Sequence, residues 1–175
     1  NYNTPMGVVK TVRSSLRGYH EIFICEMGAR RVGEIKELCD IASPKYGIVT
    51  SVGPQHLETF KSIDNIIKTK LELANNLQPG GAAFINADNE YLRDNMPAGA
   101  VTYGTREDAA YSAVLKSVSS SGTQFSVRYP DSSVHDFTTQ LVGAHNVTNL
   151  CGAIAMAHYL GVDDKAIYDG VLRIS

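Results

Sequence analysis

The sequence predicts an α/β domain in which a mostly parallel sheet is layered with helices and followed by a small antiparallel satellite sheet. Three observations carry this. Short runs rich in β-branched and aromatic residues, "EIFICEM" (21–27), "YGIVTSV" (46–52) and "AAFINAD" (82–88), alternate with stretches whose apolar residues recur at helical spacing, the order that favours parallel pairing. From Thr105 to about 142 the pattern becomes polar/apolar alternation around Ser-Gly and Pro-Asp turns, as in antiparallel hairpins with one solvated face. From Asn146 to Leu160 helical spacing returns, with Val147, Leu150, Ile154 and His158 on or beside one stripe that can close over the sheet.

Taken in order, Gly7 to Leu16 reads as a first helix and 21–27 as a first buried strand. "RVGEIKELCDIASP" places Ile35, Leu38 and Ile41 at helical spacing and stops near Pro44. The run 46–52 is the next buried strand, so these segments make one strand–helix–strand unit. A helix begins near Ser62 and ends before "PGG", a turn that leads into the strand at 82–88. Val101 to Tyr103 is a short strand, residues 109–142 form the β-rich satellite region, and Asp163 and Asp164 open a last short helix.

The chain has 175 residues, 43% hydrophobic and 19% charged, enough for one domain with a sizeable core. A formal net charge of −2, with 16 basic and 18 acidic residues spread along the chain, excludes a nucleic-acid footprint or a basic membrane-binding helix. No run is long and apolar enough for a membrane span, and the first residues lack a signal peptide's regions. Cys25, Cys39 and Cys151 are odd in number, far apart and in apolar or helical contexts. They read as buried thiols in a reducing, cytoplasmic compartment. "NYNTPMG" has no initiator methionine and "DGVLRIS" carries helical pattern into the last residue, so both ends are expected to be cut from a longer protein.

In open α/β sheets ligands gather beyond the carboxyl ends of the strands, where Glu26 and His56 are both predicted to lie. A carboxylate and an imidazole brought there can share a divalent metal or a phosphate-bearing ligand. On the following helix Ile63, Ile67, Lys70, Ala74 and Leu77 share one face. Lys70 is the exception in that stripe, and burying an ammonium is costly unless it is paired or chemically altered. The plain alternatives are a solvent-facing or capping glutamate, a loop histidine without a role, and a lysine stem that snorkels from the edge of an apolar face. Spacing alone leaves a candidate anion or metal site.

"NYNTPMG", "CEMGARRVGEI", "GPQHLETFKSIDNIIKTK", "INADNEYL" and "GAHNVTNLCGAIAMA" occur in the order seen in the central ATP-binding domain of the Mur ligases, and the chain resembles that domain over essentially its whole length. The wording "EMGA" and "HLETF" is most similar to the members that add D-alanyl-D-alanine. The resemblance implies a three-layer, P-loop-NTPase-like central domain of an ATP-dependent amide ligase of peptidoglycan synthesis. In such a ligase the terminal carboxylate of UDP-N-acetylmuramoyl-tripeptide is phosphorylated, and the amine of D-alanyl-D-alanine attacks the acyl phosphate. It also implies ATP and two Mg2+ ions as cofactors, and a monomer. Magnesium would screen the phosphoryl group in transfer.

Carried over residue by residue, the resemblance makes Glu26 a metal ligand, His56 a histidine that helps hold the second magnesium, and Lys70 the lysine that is carbamylated. Carbamylation would turn a buried cation into an anion able to bind or orient a metal. Asn3 resembles an asparagine near substrate and metals; "NT" departs from the paired asparagines of some relatives, so Asn1 is its competitor. Asn146 and Asn149, at i and i+3 on a helix start, match asparagines near the adenine, where an amide can donate and accept; an ordinary helix cap explains Asn146 equally. Asn86 and Asp88 resemble the family's "NxD" element, and a plain Asx turn explains them nearly as well.

The family's phosphate-cradling Walker A string, G-x-x-x-x-G-K-[ST], is absent from these residues. The expectation is therefore a fragment that begins downstream of it, without the family's N-terminal and C-terminal domains, and inactive alone. Other Mur ligases, relatives of folylpolyglutamate synthetase, and a non-catalytic nucleotide-binding subunit on the same domain remain the alternatives.

Overall fold

The computed structural model describes residues 2–54 and 57–175. The chain divides into two compact units, one closing at Ala83 and one running Phe84–Ser175.

In the first unit, helix α1 (Pro5–Ser15) starts at Thr4, whose hydroxyl accepts the Gly7 N–H at 3.3 Å, with Pro5 in the first helical position. Helix α2 (Glu34–Ala42) follows Gly33, whose φ of 93° suits glycine. Strand β1 (Tyr46–Val49) and the one-turn helix α3 (Leu57–Phe60) lead to α4 (Ile63–Asn75). Ser62 caps α4, its Oγ accepting the Asn65 N–H at 3.2 Å. One core cluster is Val8, Ile35, Leu38 and Cys39, with Val12, Cys25, Met27, Ala29 and Leu73 packed against it. Cys39 takes the core position that spacing gives to Ile41, which stays 36% exposed.

The segment 21–27 is not a strand. It is extended and alternates: Cys25, Met27 and Ala29 lie against the α1–α2 core, whereas Ile22 and Ile24 are 71% and 89% exposed. A strand exists by its ladder of backbone hydrogen bonds, and no strand is paired with this segment among the described residues. Its β-branched composition therefore yields an extended run with one apolar face outward. Cys25 is correspondingly half-buried, while Cys39 and Cys151 are buried as expected, and all three are free thiols.

Strand β2 (Ala82–Asn86) is buried along its whole length and crosses from one unit to the next. In the second unit β2 pairs in parallel with β3 (Val101–Gly104), from Phe84↔Val101 to Asn86↔Tyr103. Strand β3 pairs in parallel with β4 (Tyr111–Ser119). Strands β4, β5 (Gly122–Arg128) and β6 (Val134–Thr139) are antiparallel neighbours. The hairpins expected as a satellite are thus continuous with the parallel strands, through Tyr103↔Tyr111 and Gly104↔Ser112.

The one-turn helix α5 (Glu90–Arg93) is capped by Asn89. Helix α6 (His145–Tyr159) lies on β3 and β4, burying Val147, Leu150, Cys151, Ile154 and Ala155. Helix α7 (Asp164–Leu172), capped by Asp163, packs on β6 and α6. Among the described residues no helix is long and apolar enough to cross a membrane.

Candidate functional site

The candidate residues divide between the two units. In the first, the extended 21–29 segment carries Glu26 past the start of α1. The Asn3 amide Nδ2 donates to Glu26 Oε1 at 3.4 Å, and the Gly28 N–H donates to the Asn3 carbonyl at 3.1 Å. Gly28 lets this approach happen, since a Cβ there would lie 3.0 Å from Asn3 Nδ2. Glu26 itself is exposed, because alternation puts it on the outward side with Ile22 and Ile24. Beside it is a cavity of about 510 Å³ lined by Asn3, Val8, Thr11, Phe23, Cys25 and Glu26, among others.

Lys70 lies on α4 within the buried stripe, flanked by Ile66, Ile67 and Leu71, and is itself half-buried. Leu77, expected on the same face, falls beyond the end of α4, whose C-cap is Asn76. The Lys70 side chain makes no hydrogen bond or ion pair among the described residues. Two residues on, Glu72 accepts the N–H groups of Gly33 and Lys36, both at 2.9 Å. The helix that carries Lys70 thereby fixes the loop that follows Glu26 and Gly28. His56 lies outside the described residues, as does Asn1.

In the second unit Asn86 ends β2 and its Oδ1 accepts the Asp88 N–H at 2.9 Å, an Asx turn. The Asp88 carboxylate accepts from the Thr105 N–H at 2.8 and 2.9 Å, the Thr105 hydroxyl at 3.1 Å, the Arg106 N–H at 3.3 Å and the Thr148 hydroxyl at 3.0 Å. Asn146 is not the cap of α6: that position is Ala144, and Asn146 Nδ2 donates backward to the Val142 carbonyl at 3.2 Å. Asn149 is exposed one turn further along. Sequence reasoning missed Glu72, Thr105 and Thr148; the hydroxyl of Thr148 between the two asparagines was the signal available.

A magnesium ion takes one or two carboxylates and leaves its other positions to water and phosphate oxygens. Among the described residues no group of three or more His, Cys, Asp or Glu side chains converges. The exposed Glu26 carboxylate fits an ion bound jointly with a nucleotide, and not a closed protein cage.

The Mur ligase middle domain family matches residues 1–157. This chain belongs to the Mur ligase family. The UDP-N-acetylmuramoyl-tripeptide--D-alanyl-D-alanine ligase of Bacillus subtilis is 31% identical to this Mur ligase domain over 162 residues, covering 93% of the chain and 35% of the relative. The crystal structure of MurF from Acinetobacter baumannii shares its fold, with a TM-score of 0.88 at 24% identity over 100% of this chain and 39% of that one. MurF ligase from Thermotoga maritima, solved in complex with ADP, gives a TM-score of 0.76 at 26% identity over 93% of this chain and 38% of that one. The mixed sheet flanked by helices is the Mur ligase middle-domain fold. The chain spans about a third of the length of the relatives it matches.

Proposed function

We propose that this chain is the nucleotide- and metal-handling part of an ATP-dependent ligase that joins D-alanyl-D-alanine to UDP-N-acetylmuramoyl-tripeptide through an acyl phosphate. The observation that carries the reading is the Asn3–Glu26 contact. Two residues 23 apart in sequence, one matched to a metal ligand and the other to an asparagine near substrate and metals, meet and line one cavity. The 31% identity to a ligase of that name supports the choice of substrates.

Glu26, His56 and a carbamylated Lys70 would hold magnesium, which supplies charge to screen the phosphoryl group in transfer. Glu26 offers the hard anionic oxygen, and Asn3 orients it through Oε1. Lys70 would react as the free amine with CO2, forming an N–C bond and releasing a proton, so that its half-buried end becomes an anion. Asn146 and Asn149 would receive the adenine through their amides. Asn86 and Asp88 would shape the nucleotide's surroundings. The 175 residues contain no G-x-x-x-x-G-K-[ST] string, so we expect weak ATP binding and no acyl phosphate from them alone.

The test is ADP release by the longer ligase carrying this chain. Release that requires both UDP-N-acetylmuramoyl-tripeptide and D-alanyl-D-alanine supports the reading. Equal or faster release with UDP-N-acetylmuramate and L-alanine, the substrates named for another relative, would overturn it.

A further inference from the structure

We propose that Asp88 is a positioning residue: it acts through Thr148 to hold the first turn of α6, which presents Asn146 and Asn149, and does not touch the nucleotide itself. The inference rests on the reading of those asparagines as base-binding and changes the part assigned to Asp88.

A carboxylate has about four lone-pair sites. Those of Asp88 are taken by the Thr105 N–H and hydroxyl, the Arg106 N–H and the Thr148 hydroxyl. The approach is shaped on every side. The Asn86 Asx turn sets the Asp88 backbone, and the Ala87 N–H donates to the Tyr103 carbonyl at 2.8 Å. Gly104 has no side chain to interfere, since a Cβ there would lie 2.6 Å from Asp88 Oδ1. Asp88 therefore ties the end of β2, the turn after β3 and the start of α6 together, with no acceptor capacity left for a ligand's donors.

The far end of this tie is where it is needed. Helix α6 begins at Ala144 without a side-chain cap, so its first turn lacks the usual anchor. Two side-chain bonds hold it, Asn146 to Val142 and Thr148 to Asp88. At about 100° per residue, Asn149 lies about 100° and Asn146 about 160° around the helix from Thr148. With Thr148 turned to Asp88, both asparagines leave the helix on other sides than the carboxylate, Asn146 donating back to the Val142 carbonyl and Asn149 exposed.

The experiment measures ADP affinity in the longer ligase with Thr148→Val, Thr148→Ser, Asp88→Asn and the Asp88→Asn/Thr148→Val double variant, with pyrophosphate as a probe that lacks the base. Thr148→Val should weaken ADP about tenfold or more, the loss of one charge-assisted hydrogen bond. Thr148→Ser should restore it, and pyrophosphate affinity should not change. The double variant should be no weaker than the poorer single one. Additive losses would show that Asp88 contacts the nucleotide directly, and unchanged ADP affinity in Thr148→Val would overturn the positioning role. Asn149→Ala separates the two readings. Weakened ADP there, with none in Thr148→Val, overturns the positioning role alone, whereas no loss in Asn149→Ala overturns the nucleotide site itself.

Discussion

Glu72 on α4 accepts the Gly33 N–H at 2.9 Å with one carboxylate oxygen, and the Lys36 N–H at 2.9 Å with the other. Gly33 is the N-cap of α2 and has no side chain to cap it, so one helix supplies from outside what the other lacks. The anion also faces the positive end of the α2 dipole. Replacing Glu72 with Ala should cost about 1–2 kcal/mol of stability, the value of an N-cap acceptor, and Glu72→Gln less. Urea midpoints of the two variants measure this, and an unshifted midpoint in Glu72→Ala would contradict it.

That capping was hidden from the sequence because Gly33 and Glu72 are 39 residues apart. Local signals were legible in part: Ser62 and Asp163 cap the helices they were read to open, and the stripes through Ile35 and Leu38 and through Val147, Leu150 and Ile154 are buried as spacing requires, whereas the first helix begins at Pro5 behind the Thr4 cap and not at Gly7. The one-turn helices α3 and α5 are too short for periodicity to register. The run 21–27 failed as a strand because composition reports an extended preference and says nothing of the partner that a ladder needs. At the site, strand-end placement pointed to Glu26 and the family resemblance to Asn3, and the two side chains meet. Asp88's partners lie 17, 18 and 60 residues away, so its saturation was invisible.

Gly122 starts β5 with φ of 140°, and a Cβ there would run into the Thr139 carbonyl of the adjacent β6. Gly161 has φ of 79° with open space around it. Gly122→Ala should therefore destabilise by about 2 kcal/mol or more through strain and clash together, and Gly161→Ala by about 1 kcal/mol through backbone strain alone. Thermal unfolding of the two variants should rank them in that order, and equal losses would contradict the close approach.

Burial pushes the Cys39 thiol up to about 11 and the Cys151 thiol up to about 12, from an ordinary 9.0. The fold favours the neutral thiols, so their contribution is intact below pH 9 and is lost as pH rises through about 11 and 12, where unfolding would release protons. At pH 8 both should resist alkylation in the folded chain and react on denaturation. The melting temperature should fall on going from pH 9 to 11 by less in a Cys39→Ala/Cys151→Ala variant than in the parent. An equal fall would assign the alkaline loss to other groups.

In the proposed function Lys70 serves the reaction as an anion; the alternative is a lysine stem lying along the stripe of Ile66, Ile67 and Leu71. The most direct test is the ligation rate of Lys70→Ala in the longer ligase, measured with and without acetate or propionate. Loss of nearly all activity, with partial recovery when the short carboxylate fills the vacated position, is the predicted result. Full activity in Lys70→Ala without any additive would contradict it.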